Sequence, residues 1–433
     1  MKKFTKLSLV AAVAVAGLSS ANAKPLEEAI KDVEVSGTVT YRYDNFGDDN
    51  GAGEDTNANK YKINLNLSSK VNEYVKFNSR INVASGAAND FVSLDKTKSD
   101  GTQNDQDANV ALAHAYFGIS VIPNTTVNVG KQGLATPWTV ATDNDGGEQT
   151  GTGIFSVTAV DKFVLGLAYF NQTNINTTGN IAQDNQTPPA GLADVTLDGS
   201  QDIYAATLQA NYGIVNAEAW YLNAVDQFDT YTLAVHGKAE LAENANIGYE
   251  LRYVSLKLDD KLFNSVKGLP AAGYTAGDVT SLGKGTGEDN SMIRAAINGK
   301  VGIVNARLAY TITDEDGGLT ALDTDAQNAS LGWRLNTLGK ADAKFLQATV
   351  GVDILDNLNL SLNYNKLEYK TYSKDMQSLL NSGNTNKEIK QDETFAQLTY
   401  KMSKNLDGYI RYGQQDFDSN EQNSGRLQVN YKF

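Results

Sequence analysis

The chain has 433 residues, 37 Lys and Arg against 51 Asp and Glu for a net charge of -14, and no cysteine. The missing cysteines exclude a disulfide scaffold, thiolate chemistry and a cysteine-ligated metal, and the acidic balance argues against nucleic acid as a partner. Mean hydropathy is -0.37 with 41% hydrophobic residues, and past the first residues no apolar stretch is long enough for a membrane-spanning helix.

Taken from the start, Lys2, Lys3 and Lys6 form a basic segment, and Leu7 to Leu18 is an unbroken apolar and small-residue run. Ser20-Ala21-Asn22-Ala23 then supplies a small-x-small cleavage pattern at Ala21 and Ala23. This grammar predicts a secretory signal peptide over 1–23 and one domain over 24–433. Pro25 to Ile30 is a short helix candidate.

Beyond it, period-two alternation recurs. Tyr61, Ile63, Leu65 and Leu67 alternate with Lys62, Asn64, Asn66 and Ser68; Leu358, Leu360, Leu362 and Tyr364 alternate with Asn359, Ser361, Asn363 and Asn365. Such runs predict strands with one apolar and one polar face. Tight connections at Asn72-Glu73, Pro123-Asn124, Glu243-Asn244, Asp356-Asn357 and Lys404-Asn405 separate from long polar ones at 47–59, 85–107, 132–151, 172–201, 259–290, 314–343 and 371–391. The long ones read as Gly/Asp/Asn/Thr-rich and poor in apolar residues. Short turns at one end and long loops at the other are the pattern of an all-β transmembrane antiparallel barrel in a Gram-negative outer membrane, its strands showing lipid only every second side chain. The 21 tyrosines suit aromatic girdles at the two interfaces.

Ala329 to Leu335 also looks strand-like, which makes the raw count odd. Even parity places it inside a long outer loop and leaves about 18 strands. In the terminal strand, Leu427, Val429, Tyr431 and Phe433 face one way and Arg426, Gln428, Asn430 and Lys432 the other. This pattern resembles the signal read by the barrel-assembly machinery.

Three islands carry a wider resemblance. Pro25-Leu26-Glu27-Glu28-Ala29-Ile30-Lys31-Asp32-Val33, then Val35-Ser36-Gly37 and Tyr41-Arg42-Tyr43-Asp44, resembles the mature start of the Campylobacter-type major outer membrane porins. Gly130-Lys131-Gln132, Trp138-Thr139 and Gly151-Thr152-Gly153 resemble the third loop of that family, and Leu427 to Phe433 its last strand. The resemblance implies an 18-stranded homotrimer in outer-membrane lipid. Its channel would pass ions and small hydrophilic solutes by passive diffusion and favour cations.

A porin of this kind narrows where a loop folds inward, and Gln132 to Gly151, with Asp143, Asp145 and Glu148, is the candidate. The same acidic, Gly-rich run reads equally well as a solvated outer loop. Strand parity puts Arg42, Lys62, Lys76, Arg80, Arg252, Arg294, Arg307, Arg411 and Arg426 on a basic lumen wall, since charges facing lipid cost about 2–4 kcal/mol at the midplane. Calcium is the one cofactor the resemblance implies, on Asp143 or Asp145. Asp143-Asn144-Asp145-Gly146 lacks the full pattern of a calcium loop.

Two rivals remain. A barrel hydrolase needs a nucleophile beside a base, yet the two histidines, His114 and His236, sit in ordinary strand patterns and no hydrolase motif occurs. The chain therefore reads as a non-enzyme. A surface-display adhesin fits the long loops equally well but needs no open lumen.

Overall fold

The computed structural model describes residues 33–48, 56–85, 90–94, 108–143, 146–175, 199–260, 262–263, 285–379, 386–418 and 420–433. Ala21, Ala23, the helix candidate at Pro25 to Ile30, and Asp145 lie outside them.

Among the described residues, eighteen strands cross the molecule. The first six are β1 (Val33–Asp48), β2 (Thr56–Lys70), β3 (Val75–Ala84), β4 (Asn109–Ile119), β5 (Thr125–Gly133) and β6 (Thr150–Val160). Next come β7 (Phe163–Thr173), β8 (Ile203–Asn211), β9 (Asn216–Ala224), β10 (Phe228–Ala242), β11 (Ala245–Leu258) and β12 (Asp289–Val301). The circuit ends with β13 (Val304–Thr313), β14 (Ala341–Leu355), β15 (Leu358–Lys370), β16 (Glu388–Lys401), β17 (Leu406–Asp416) and β18 (Glu421–Lys432). A two-residue strand, Val92–Ser93, extends the pairing of β2 past the end of β3.

Each strand pairs antiparallel with its chain neighbour, and β1 pairs with β18 from Thr38↔Lys432 to Asp48↔Gln422. The sheet therefore closes, and no edge is left unpaired. All five expected tight turns join strands at one end. Asp161 (φ 52) and Gly302 (φ 58) open two further two-residue hairpins there with the left-handed backbone such turns require. At the other end seven connections are long, but those at 225–227 and 417–420 are short. Ala329 to Leu335 falls in the 314–340 loop, where Leu331 and Asn336 form an isolated bridge.

The expected alternation is visible along β10. Thr230, Thr232 and Ala234 are buried inside, whereas Tyr231, Leu233 and Val235 point out, Leu233 at 51% exposure. Leu251, Ile293, Leu308 and Leu362 extend the same exposed apolar band around the barrel. A soluble protein would hide such a band; here it is the lipid face. Aromatic pairs such as Tyr169–Tyr204 (5.2 Å) and Phe77–Phe117 (5.3 Å) stand toward its loop-end and turn-end margins, respectively.

The hydrophobic core lies inside the loop-end half. Inward residues at the strand ends, including Leu222, Phe228, Val254, Leu256 and Met292, pack against Leu134 and Trp138 of the 134–149 loop and Leu319 and Leu322 of the 314–340 loop. The expectation that 314–343 is poor in apolar residues is thus corrected. Leu319, Leu322, Trp333, Leu335 and Leu338 are all buried there, because the loop turns into the barrel.

At the closing seam Gly37 and Phe433 exchange two backbone hydrogen bonds, of 2.9 and 3.1 Å. A Cβ on Gly37 would lie 2.4 Å from the Asn64 carbonyl oxygen and 2.7 Å from Cζ of Phe433. Gly37→Val should therefore lower the unfolding temperature of the purified barrel by several degrees in heat-modifiable gel mobility. An unchanged temperature would show that the seam tolerates a side chain.

Candidate functional site: the loop-lined lumen

The two inward loops are the third outer loop (residues 134–149, between β5 and β6) and the seventh (residues 314–340, between β13 and β14). The third is pinned at its root. Arg80 on β3 donates from Nε to both oxygens of Glu148 (2.8 and 3.0 Å) and from Nη2 to Oε1, and Asn82 adds a bond of 2.9 Å. Lys62 on β2 donates to the backbone carbonyls of Asp143 (2.8 Å) and Gly146. Burial works against ionisation of Glu148, but the Arg80 bonds and charge outweigh it and hold the carboxyl below its ordinary value. Glu148 is wholly buried. Within the inward loop where it was expected, Glu148 is the anchor that ties the loop to β3.

The seventh loop crosses the lumen and joins the third through the main chain. Leu322 N–H donates to the Trp138 carbonyl (2.8 Å) and Asn328 N–H to that of Pro137 (2.9 Å). Wall side chains complete the hold. Arg252 donates to Asn328 (3.1 Å) and pairs with Glu218 (2.6 Å), while Arg294 donates to the Ala329 carbonyl (2.8 Å) and pairs with Glu250 (2.6 Å). On β16, the buried carboxylate of Glu393 accepts the N–H groups of Trp333 (2.6 Å) and Arg334 (2.8 Å).

Three of the expected basic residues stay together on the wall formed by β1, β17 and β18. Arg42 donates to Gln428 (2.9 and 2.7 Å) and lies over Phe91; Arg426 pairs with Asp44 (2.5 Å). Arg411 donates to Gln397 (2.7 Å) and lies over the rings of Trp333, Phe395 and Tyr409. Arg334 of the seventh loop adds a fourth guanidinium, over Phe46. Lys76 sits apart, exposed beside the β2–β3 turn, and Arg307 is exposed on the lumen side near Arg294 and Glu250. His114 is turned inward by a bulge at Ala113 and lies near Glu148 and Arg80; His236 faces the lumen opposite Asn216 and Glu250.

Where the loops meet, Asp143 is joined by Asp323 and Asp325, which sequence reasoning missed. Oδ2 of Asp143 lies 2.8 Å, and Oδ2 of Asp325 4.0 Å, from the point a Cβ on Gly146 would occupy. Burial raises the Asp143 carboxyl, against the pull of Lys62. Burial, with repulsion from Asp325 and Asp143, pushes Asp323 up to about 7. Asp325 is pushed up to about 6 by the surrounding protein and by Asp143, while Arg42 and Arg426 pull it back. The Asp325 side chain is exposed toward the lumen. Among the described residues, no three His, Asp or Glu side chains gather as a metal site.

The molecule is thus a closed membrane barrel holding two inward loops, acidic at their junction and facing an arginine wall. A model of the Campylobacter major outer membrane protein family matches residues 1–433. The chain belongs to that family. This family member is an outer-membrane β-barrel porin, surrounded by lipid and passing small solutes. A comparison with curated proteins returns no match. Among solved structures it is similar to Pseudomonas aeruginosa OpdL, at 14% identity over 93% of this chain and 99% of that one, with a TM-score of 0.66. Acinetobacter baumannii OccAB3 gives 15%, 93%, 99% and 0.66. P. aeruginosa OccK2 (OpdF) in complex with glucuronate gives 13%, 93%, 98% and 0.66. At these identities the likeness is one of fold.

Glu148→Ala strands Arg80 without its buried partner, a loss of roughly 3–5 kcal/mol in comparable pairs. It should loosen the third loop and give noisier, larger single-channel steps; traces like the parent's would mean the loop is held without it. Asp323 and Asp325 carry charge above their raised values and are neutral below them. The potassium-to-chloride permeability ratio, read as reversal potential, should therefore fall as pH drops from about 8 to about 5. A constant ratio would remove both carboxyls from the pore's field.

Proposed function

We propose that this porin is a cation-preferring channel for passive diffusion of ions and small hydrophilic solutes, narrowed by its third and seventh loops. The observation that carries this reading is the acidic junction of Asp143, Asp323 and Asp325, set within the field of Arg42 and Arg426. Fixed charges of opposite sign across a narrow aqueous path select ions by charge and orient dipolar solutes. Glucuronate in OccK2 is an anion, so barrel shape alone does not set the sign of preference; the lining charges do.

Three further assignments belong to the same reading. The protein assembles as a homotrimer, and the barrel-assembly machinery recognises its last strand through Leu427, Val429, Tyr431 and Phe433. Calcium binds at the third-loop carboxylates Asp143 and Asp145; Asp143 already stands beside Asp325, and two close carboxylates favour a hard cation. No catalytic activity is assigned, and clear turnover of phospholipid or peptide by the purified barrel would overturn that.

Conductance in planar bilayers under a salt gradient tests the central claim. Ohmic steps with a cation-directed reversal potential are expected, and a silent bilayer would sink the reading. Calcium titration by calorimetry should show saturable heat that Asp143→Asn reduces; no heat in the parent would remove the metal from the proposal.

A further inference from the structure

Four carboxylates meet where the third and seventh loops touch, but three are already engaged. Glu148, Asp323 and Asp143 are only 0%, 4% and 8% exposed. Arg80 neutralises Glu148, Asp323 accepts the Asp325 N–H at 2.9 Å, and Asp143 accepts the Gly146 N–H while lying near the Lys62 ammonium. Asp325 differs. Its side chain is exposed, and no donor among the described residues reaches its carboxylate. The cations that act on it are Arg42 and Arg426, both on the wall of β1 and β18.

The same loop carries a free charge of the other sign. The Arg334 guanidinium is exposed and rests over Phe46 at 4.3 Å; the carboxylates of Asp44 and Glu393 act on it, but no hydrogen-bond acceptor among the described residues holds it. One loop thus presents an unpaired carboxylate and an unpaired guanidinium to the lumen. Its own backbone is fixed around both, by Trp138 and Pro137 near Asp325 and by Glu393 at Arg334.

We propose that Asp325 of the seventh loop, rather than any described acid of the third, sets the channel's ion preference, with Arg334 opposing it. The free carboxylate concentrates small cations, including protonated amines, in the narrowing. Attraction between unit charges about 4 Å apart in water changes local occupancy a few-fold. Asp143, Asp323 and Glu148 shape and hold the junction: Arg80 compensates Glu148, and burial pushes the Asp143 and Asp323 carboxyls up toward their neutral forms. Asp90 is another exposed carboxylate, near Arg42 and Lys62, but its Oδ1 is occupied by the Phe91 N–H at 2.6 Å.

The inference rests on the channel reading above but not on the sign of its preference, so the two fail separately. A silent parent protein overturns the channel; a conducting parent allows the test. In bilayers under an about tenfold KCl gradient, Asp325→Asn should lower the potassium-to-chloride permeability ratio about twofold or more. Arg334→Gln should raise it, Asp325→Glu should retain it, and Asp90→Asn should move it less than Asp325→Asn does. Opposite shifts from the two loop variants exclude a mere rearrangement of the loop, which would move both the same way. The proposal is overturned if Asp325→Asn leaves the ratio unchanged, if both loop variants shift it in one direction, or if Asp90→Asn has the larger effect. Should Asp325→Asn fail to fold, Arg334→Gln and Asp325→Glu decide alone: an unmoved ratio with the first, or a lost preference with the second, overturns it.

Discussion

Closure is the constraint on which everything else depends. Inside a bilayer no water is available to an unpaired N–H or C=O, so a sheet can cross only if its first and last strands find each other. Here that meeting runs from Thr38↔Lys432 to Asp48↔Gln422, with Gly37 and Phe433 continuing the ladder by one step. Once the ring is shut, each strand has two unlike surroundings. Leu233 and Leu362 meet lipid, while Thr40 and Thr230 meet the interior. Period two is the trace of that division in the amino-acid sequence.

This explains what could be read without coordinates. Alternation is a local property, so the strands, the tight turns and the placement of Ala329 to Leu335 in a loop were all legible. The path of a loop is not local. Whether Glu148 faces water or Arg80 depends on a strand 68 positions earlier in the chain, and nothing near Glu148 distinguishes the two. The seventh loop did carry a signal in Leu319, Leu322, Trp333 and Leu335, which are too apolar for a solvated loop. That signal was hidden among its Gly, Asp and Asn residues. Asp323 and Asp325 went unnoticed for the same reason: an acid in a polar loop is unremarkable until the loop turns inward.

The lumen charges therefore divide by task. Lys62, Arg80, Arg252 and Arg294 hold loops, each satisfying a loop carbonyl, amide or carboxylate, and Glu393 does the reverse by receiving two N–H groups. Arginine suits this work because its planar fork reaches several acceptors at once. Arg42, Arg411 and Arg426 are fixed instead by Gln428, Gln397 and Asp44, with aromatic rings beneath Arg42 and Arg411. Parity alone cannot separate the two groups, since both face inward.

The two inward loops clasp each other through main-chain atoms, at Trp138 with Leu322 and at Pro137 with Asn328. Main-chain bonds survive most changes of side chain. The passage is therefore built as a frame with an interchangeable lining: residues around the junction can drift in charge and size over generations while the frame that holds them keeps its shape. A lineage under pressure from a toxic solute could alter what enters without rebuilding how the barrel is assembled.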